Sequence, residues 1–513
     1  MPPSTASTTP SQANRLTSPA NAAAGSAPAP ASAPTRAPAT VPGAAARLGF
    51  CTLEQQLSAE ELELRGALPK WLSGSLLRTG PAKFELGEQH MRHWFDGLAM
   101  LHRFSISDGE VSYGNRFLES RSYRASREQG EMIYGEFATD PCRSLFKRVQ
   151  TLFSGGGVLT DNANVNVTKL GERFIAMTET PLPVQFDPRT LKAAGVRPYE
   201  APGQLSTAHP HADRTSGAML NYAAKLGSRS SYRFFEVPAH SPAGRPAATR
   251  VISSLPVREP AYMHSFGLTE RWLVLAEFPL VVNPLALALS RRPYIENYRW
   301  KPDLETRFTL VDRATGQALQ GFRTDACFAF HHVNAYEHAD EVIVDICTYP
   351  DAGIVEDLYL ERLRAGKPIS SATLTRFRLR PAERSVTRER LADSDIELPR
   401  INYRRCNERP YRYVWGNGVG PSGWLERIVK IDTHDGATAT WSQPGSYPGE
   451  PVFVARPEAE REDDGVLLSV VLDAAAGASM LLVLDAADLS ELARAQVPHH
   501  IPFSFHGQFM RTA

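Results

Sequence analysis

Phe328-Ala329-Phe330-His331-His332-Val333-Asn334-Ala335-Tyr336-Glu337, then a polar turn and Val342-Ile343-Val344-Asp345-Ile346, is the stretch from which the rest of the chain is read. It predicts two β-rich runs joined by a turn, with an imidazole set in an otherwise aromatic and apolar strand. The pattern recurs. Residues 261–267 run through Thr269-Glu270-Arg271 into 272–276, and Thr207-Ala208-His209-Pro210-His211 passes through 213–217 into 218–222. Two further hairpins lack the histidine: 164–167 into 174–177, and 451–454 into 466–471. Self-similarity of this kind is the trace of a radially repeated β architecture. Histidines at the same place in successive units converge if the first strand of each unit lines a common axis.

Size and charge narrow the function. A chain of 513 residues could hold two or three domains, although a propeller uses such a length as one. Lys+Arg and Asp+Glu both total 56, so no overall field favours nucleic acid as a partner. Cys51, Cys142, Cys327, Cys347 and Cys406 are odd in number and far apart, with no CxxC, which argues against a disulfide framework and a thiolate zinc site. A reducing compartment fits that usage. Residues 1–48 are dominated by Ala, Pro, Ser and Thr and hold no acidic residue, so they read as a disordered tail ahead of a single domain over 49–513. The same Arg-bearing, acid-free composition suits a transit peptide, leaving two expectations: a cytoplasmic protein, or import into an organelle. No stretch approaches the roughly 20 apolar residues of a spanning helix.

Strand and turn signals continue through the body, with Met100 to Ile106 alternating and Asp108-Gly109 marking a hairpin. Two segments break the rhythm. Residues 142–153 put Leu145, Val149, Leu152 and Phe153 at helical spacing with Arg143, Lys147 and Arg148 between them, and 278–289 is the most apolar window. Each is read either as an interfacial patch or as a helix packed over the sheet.

A lone histidine in a strand is ordinarily a hydrogen-bonded core residue. His209, His264 and His331, however, hold equivalent places in successive hairpins, and His506 in Pro502 to Phe509 copies the aromatic setting of His331. Four imidazoles on one axis make a metal site, suited to iron, copper, nickel or zinc. His211 and His332 each stand beside one of the four without sharing its place. A ligating imidazole needs its other nitrogen held, usually by a carboxylate or carbonyl. Glu179, Glu397 and Glu450 are the candidates, since all three lie at apolar or proline-rich strand ends where an unpaired carboxylate is costly to bury. For Glu397 and Glu450 the competing reading is exposure at a turn.

These residues carry a resemblance. His93-Trp94-Phe95-Asp96-Gly97, Thr207 to His211, Tyr262-Met263-His264-Ser265-Phe266, Phe330 to Asn334, Ile401-Asn402-Tyr403, Ser446 to Pro451 and Phe505-His506-Gly507 are similar, in order, to the motif series of the carotenoid cleavage oxygenases, from about residue 60 to 509. The family includes the animal β-carotene oxygenases and the retinal-pigment-epithelium isomerohydrolase. The resemblance implies an all-β, seven-bladed β-propeller with a helical cap over the metal face. It implies Fe(2+) held by His209, His264, His331 and His506, with Glu179, Glu397 and Glu450 behind them and no catalytic side chain beyond the metal site. The implied reaction is O2-dependent cleavage of a conjugated double bond of a carotenoid or apocarotenoid into two carbonyl products. Phe84, Thr178, Tyr349 and Phe505 are expected to line the substrate tunnel, and 142–153 and 278–289 to touch the membrane that holds the substrate. Stilbene-cleaving relatives commonly place Lys where this chain has Thr178, which favours an apolar polyene. Retinyl-ester isomerohydrolysis or stilbene cleavage on the same four-histidine iron, and more remotely a non-catalytic propeller scaffold, are the competing expectations.

Overall fold

Short β-rich runs that can each bury one face only against another sheet pack here as seven antiparallel sheets of mainly four or five strands. The computed structural model describes residues 45–140, 159–196, 199–240, 246–290 and 292–511. The described residues form one unit, a seven-bladed β-propeller.

The first six blades follow in chain order. Their innermost strands are Asn166–Leu170, the pair Leu205–Ser206 and His211–Ala212, Gly267–Leu268, Phe328–His338, Glu397–Arg400, and the pair Ser446–Pro448 and Val452–Ala455. The seventh blade takes strands from both chain ends: Gly507–Met510 lies innermost and pairs antiparallel with Gly74–Lys83, followed outward by Leu98–Ser107 and Glu110–Phe117. Leu64–Gly66 meanwhile adds to the outer edge of the sixth blade against Glu491–Gln496. The ring is thus closed twice by early and late strands, which removes the sheet edges an open array would expose. Asp108 and Gly109 both take positive φ (53° and 83°), as the two-residue hairpin between the second and third of those outer strands requires.

The histidine-bearing runs depart from the continuous strands expected of them. Residues 207–210 leave the ladder between Ser206 and His211, which pair with Ala223 and Leu220 of one neighbouring strand. His264 precedes the two-residue strand Gly267–Leu268, and His331 sits where the register shifts between Ala329 and His332. The physical reason is direction: a regular pleat sends alternate side chains to the sheet faces, whereas a bulge re-aims one of them along the axis.

The apolar window 278–289 divides in two. Phe278, Leu280, Val281 and Val282 are buried, and Leu280–Val281 pairs with Arg299–Trp300. Only the helix Pro284–Leu289, capped by the Asn283 side chain, stands at the surface, with Leu285 and Leu289 67% and 57% exposed. Segment 142–153 lies outside the described residues. The expected cap is made of loops and short helices, of which Arg121–Gln129 is the longest among the described residues. Packing already includes Ala46 and Phe50, in a 3-10 turn that the expected tail partly overlaps. No helix among the described residues is long and apolar enough to cross a membrane. Cys51, Cys327, Cys347 and Cys406 are free thiols.

Candidate metal centre

Imidazoles from three successive blades and from the residue just before the last strand of the chain meet at the centre of the ring. One nitrogen each of His209, His264, His331 and His506 lies within 4.8 Å of the other three. His264, His331 and His506 are 5–7% exposed and His209 is half-buried. His209 is turned inward by its own backbone, whose N–H donates to Thr207 Oγ1 at 2.7 Å. The His506 N–H reaches Val165 O at 3.2 Å.

Each of the three most buried rings is held by a carboxylate. His264 Nδ1 stands 2.6 Å from Glu179 Oε1, His331 Nδ1 2.5 Å from Glu397 Oε2, and His506 Nδ1 2.7 Å from Glu450 Oε1. Glu179 Oε1 also accepts from Tyr262 Oη at 2.8 Å. The Glu450 carboxylate additionally accepts from Arg400 Nε and Nη2 (2.8 and 3.0 Å) and from the Gly507 N–H (2.9 Å), with Arg78 Nη1 at 3.8 Å. Gly507 is required here: a Cβ at that position would stand 2.5 Å from Arg78 Cγ and 2.9 Å from Leu77 O. Leu398, directly after Glu397, is held at φ 49°, a left-handed conformation that costs on the order of 1–3 kcal/mol, and its N–H donates to the same Glu397 Oε2 that faces His331.

These contacts fix the tautomers. An Nδ1–H donated to a carboxylate leaves Nε2 of a neutral imidazole as a bare lone pair. Yet His331 Nε2 faces His506 Nε2 at 3.1 Å, and His209 Nε2 faces His264 Nε2 at 2.9 Å. A proton shared between them is opposed by the surroundings. Burial lowers the pKa of His209 and of His264, and lowers that of His506 to about 4 despite Glu450. Converging lone pairs without protons are what a cation needs, so the cluster is a metal-binding one. An ion bonded to imidazole at about 2.0–2.1 Å would draw its ligand atoms to within about 4.2 Å, a small contraction from the spread observed. Burial pushes the Glu397 and Glu450 carboxyls up, but His331 acting on Glu397, and Arg400 with His506 on Glu450, more than offset it, and both are held below the usual carboxylate range.

His211 and His332 stand apart from the cluster. His211 Nδ1 contacts Tyr403 Oη and its Nε2 contacts Phe266 O, while His332 Nδ1 meets Ser265 Oγ. His93, first residue of the His-Trp-Phe-Asp-Gly motif, caps a turn: its Nδ1 accepts from the Phe95 N–H and its own N–H donates to Asp96.

A cavity of about 200 Å³ opens onto His264, His331 and His506. Thr178, Tyr349 and Phe505 line it together with Phe95, Phe137, Phe330 and Trp424. Phe84 does not. It is fully buried against the Gly97 backbone, where a Cβ would meet its ring at 2.7 Å, and it lies beneath the Arg364 guanidinium. Arg78 and Arg400, which hold Glu450, escaped the sequence reading: arginine in a strand carries no pattern of its own, and only the burial of Glu450 demands them.

A sequence model of the retinal pigment epithelial membrane protein family matches residues 50–511. The chain belongs to that family, the carotenoid oxygenases. It is 35% identical over 482 residues to the carotenoid isomerooxygenase of Galleria mellonella, covering 87% of this chain and 93% of that protein. It is 34% identical over 515 residues to the β,β-carotene 15,15′-dioxygenase of Homo sapiens, covering 89% and 93%. The crystal structure of cobalt-substituted Synechocystis apocarotenoid oxygenase superposes with a TM-score of 0.81 at 27% identity, over 92% of this chain and 99% of that one.

Proposed function

We propose that this carotenoid oxygenase is a non-haem Fe(2+) dioxygenase that cleaves a conjugated C=C bond of a carotenoid or apocarotenoid with O2, giving two carbonyl products. The observation that carries the reading is the convergence of four imidazoles, three of them with Nε2 left bare by a carboxylate at Nδ1, beside a cavity whose walls are mainly aromatic and aliphatic. His209, His264, His331 and His506 are the ligands in this reading, and Glu179, Glu397 and Glu450 hold three of them by Nδ1. Imidazole suits iron, and a site with no carboxylate ligand leaves the ion's charge unneutralised. Bound there, iron supplies the redox chemistry between O2 and the alkene.

What the chain itself does is position and exclude. Phe95, Phe330, Tyr349 and Phe505 form apolar walls against which a flat polyene stacks, and they keep bulk water from the reacting carbons. The three glutamates accept the Nδ1–H of their imidazoles, fixing both tautomer and ring direction. Thr178 offers no cation to a phenolic oxygen, which favours a polyene over a stilbene. A substrate of this kind resides in a bilayer, and the exposed leucines of helix Pro284–Leu289 are its docking surface in this reading, with 142–153 as a second contact. In this reading the protein is a peripheral membrane enzyme, working in the cytoplasm or, should residues 1–48 direct import, in an organelle.

The test is to incubate iron-loaded protein with β-carotene and a panel of apocarotenoids under oxygen, and to separate aldehydes by chromatography. Aldehyde pairs that sum to the substrate skeleton are expected. Release of retinol from a retinyl ester with no aldehyde from any polyene would replace this reading with isomerohydrolysis.

A further inference from the structure

Four carboxyl side chains line the cavity: Glu136, Glu179, Asp395 and Glu397. Three are committed elsewhere, Glu179 and Glu397 to imidazoles, and Asp395 to the Arg427 guanidinium and the Val419 N–H. Glu136 is different. It follows Gly135, which bridges to Leu159 at the cavity wall, and its own N–H is spent on Thr139 O at 2.8 Å. Its Oε1 accepts from Thr160 Oγ1 at 2.7 Å, and the Thr160 carbonyl in turn accepts from Thr180 Oγ1, next to Glu179. Among the described residues no lysine, arginine or histidine pairs with it. The acidic neighbours Asp96 and Asp161 have their own donors: Asp96 takes the His93 and Ala138 N–H groups, and Asp161 takes those of Arg121 and Ser122. The residue is 8% exposed, and the cavity is what it faces.

A buried carboxyl with no cation beside other acids is held neutral: burial, and after it the Asp96 charge, place its pKa well above the usual carboxylate range. A neutral carboxyl carries an O–H donor as well as an acceptor. Thr160 and the Asn162 amide both act on it as donors, so only its acceptors are served. The O–H is left to whatever fills the cavity.

Resting on the polyene-cleaving reading above, we propose that Glu136 binds an oxygen function at one end of the substrate, so that polyenes ending in a hydroxyl or carbonyl are the preferred class over pure hydrocarbons. A hydroxyl or carbonyl oxygen accepts the Glu136 O–H. A hydrocarbon end in the same place leaves a buried donor unpaired, which is worth on the order of 10–100-fold in affinity.

The experiment measures binding on metal-free, full-length protein by quenching of tryptophan fluorescence, with β-carotene, ring-hydroxylated β-carotene and an apocarotenal as probes, for wild type, Glu136→Leu and Glu136→Gln. Wild type is expected to favour the oxygenated probes about 10–100-fold. Glu136→Leu should lose that preference while binding β-carotene at least as well, and Glu136→Gln, which keeps a donor and an acceptor, should retain most of it. A purely structural Glu136 would weaken all probes in parallel, and that result, or equal wild-type affinity for all three, overturns the proposal while leaving the oxygenase reading intact. Wild-type protein that takes up no polyene at all defeats both.

Discussion

Replacing Glu450 by Gln separates the role of the carboxylate in the metal centre from its role in the fold. Every group facing Glu450 is a donor: Arg400 Nε and His506 Nδ1 at Oε1, Arg400 Nη2 and the Gly507 N–H at Oε2. Whichever way the new amide turns, its NH2 meets two donors. The charge is lost too, leaving Arg78 (1% exposed side chain) and Arg400 (18%) without their counter-ion. Breaking a buried pair by removing one partner costs about 3–5 kcal/mol, and losing the carboxylate behind a ligating imidazole costs about 10–100-fold in metal affinity. Glu397→Gln is the control, because Glu397 Oε1 has no hydrogen-bond partner and, among the described residues, no arginine pairs with this carboxylate, so the exchange strands no buried guanidinium. Both variants should therefore lose metal affinity, measured by Co(II) titration followed by absorbance, but only Glu450→Gln should lose several kcal/mol in chemical denaturation of the metal-free protein. Equal stability losses, or Co(II) affinity within about twofold of wild type for Glu450→Gln, would refute this account of the site.

Three further outcomes are expected. His264→Ala should abolish metal retention, read by elemental analysis of purified protein, while His332→Ala, whose ring contacts Ser265 and not the cluster, should keep most of it. Acid should destabilise the fold through two histidines remote from the metal: burial lowers the pKa of His93 and of His102 to about 3. The unfolded chain binds these protons below about pH 6.5 and the folded one does not, so the stability is complete above that value and falls by about 1.4 kcal/mol per pH unit per histidine toward pH 3. Replacing His102, which contacts Tyr113 Oη, by Gln should flatten the dependence of the denaturation midpoint on pH between about 7 and 5. Leu285→Ser combined with Leu289→Ser should reduce co-sedimentation with phospholipid vesicles without changing metal content, and unchanged sedimentation would remove this helix from the docking surface.

The hairpins were legible because their signal is local. Alternation ended by Asp-Gly or a polar turn gives strand, turn and strand within twenty or so residues, and the 328–349 unit pairs as its sequence predicts. The histidines were legible only as a recurring position. What stayed hidden was the local break in the ladder that aims them, because bulges at 207–210 and 329–332 depend on partners in another strand. The same holds for Arg78 and Arg400, whose purpose appears only when Glu450 is seen to be buried between them. Phe84 was misassigned for a related reason: the sequence does not say which face of the sheet its ring takes, and it went to the core under Arg364.

The way the ring closes explains why the site draws on such distant positions. His506 leads directly into the strand Gly507–Met510, which pairs with Ser75 to Arg78 near the other end of the chain. Arg78 itself donates to Ser504 Oγ and Phe505 O, bracing the approach to that histidine, and stands 3.8 Å from Glu450 Oε2. The fourth imidazole, the carboxylate that aims it and the cation that neutralises that carboxylate therefore come from three separate parts of the sequence, brought together only by the closing strand. A propeller lacking that strand and the residues leading into it would keep His209, His264 and His331, but Glu450 would lose His506 and the Gly507 N–H, Arg78 its Ser504 and Phe505 acceptors, and Arg400 the Gly507 carbonyl. The complete four-imidazole set exists only in the closed ring.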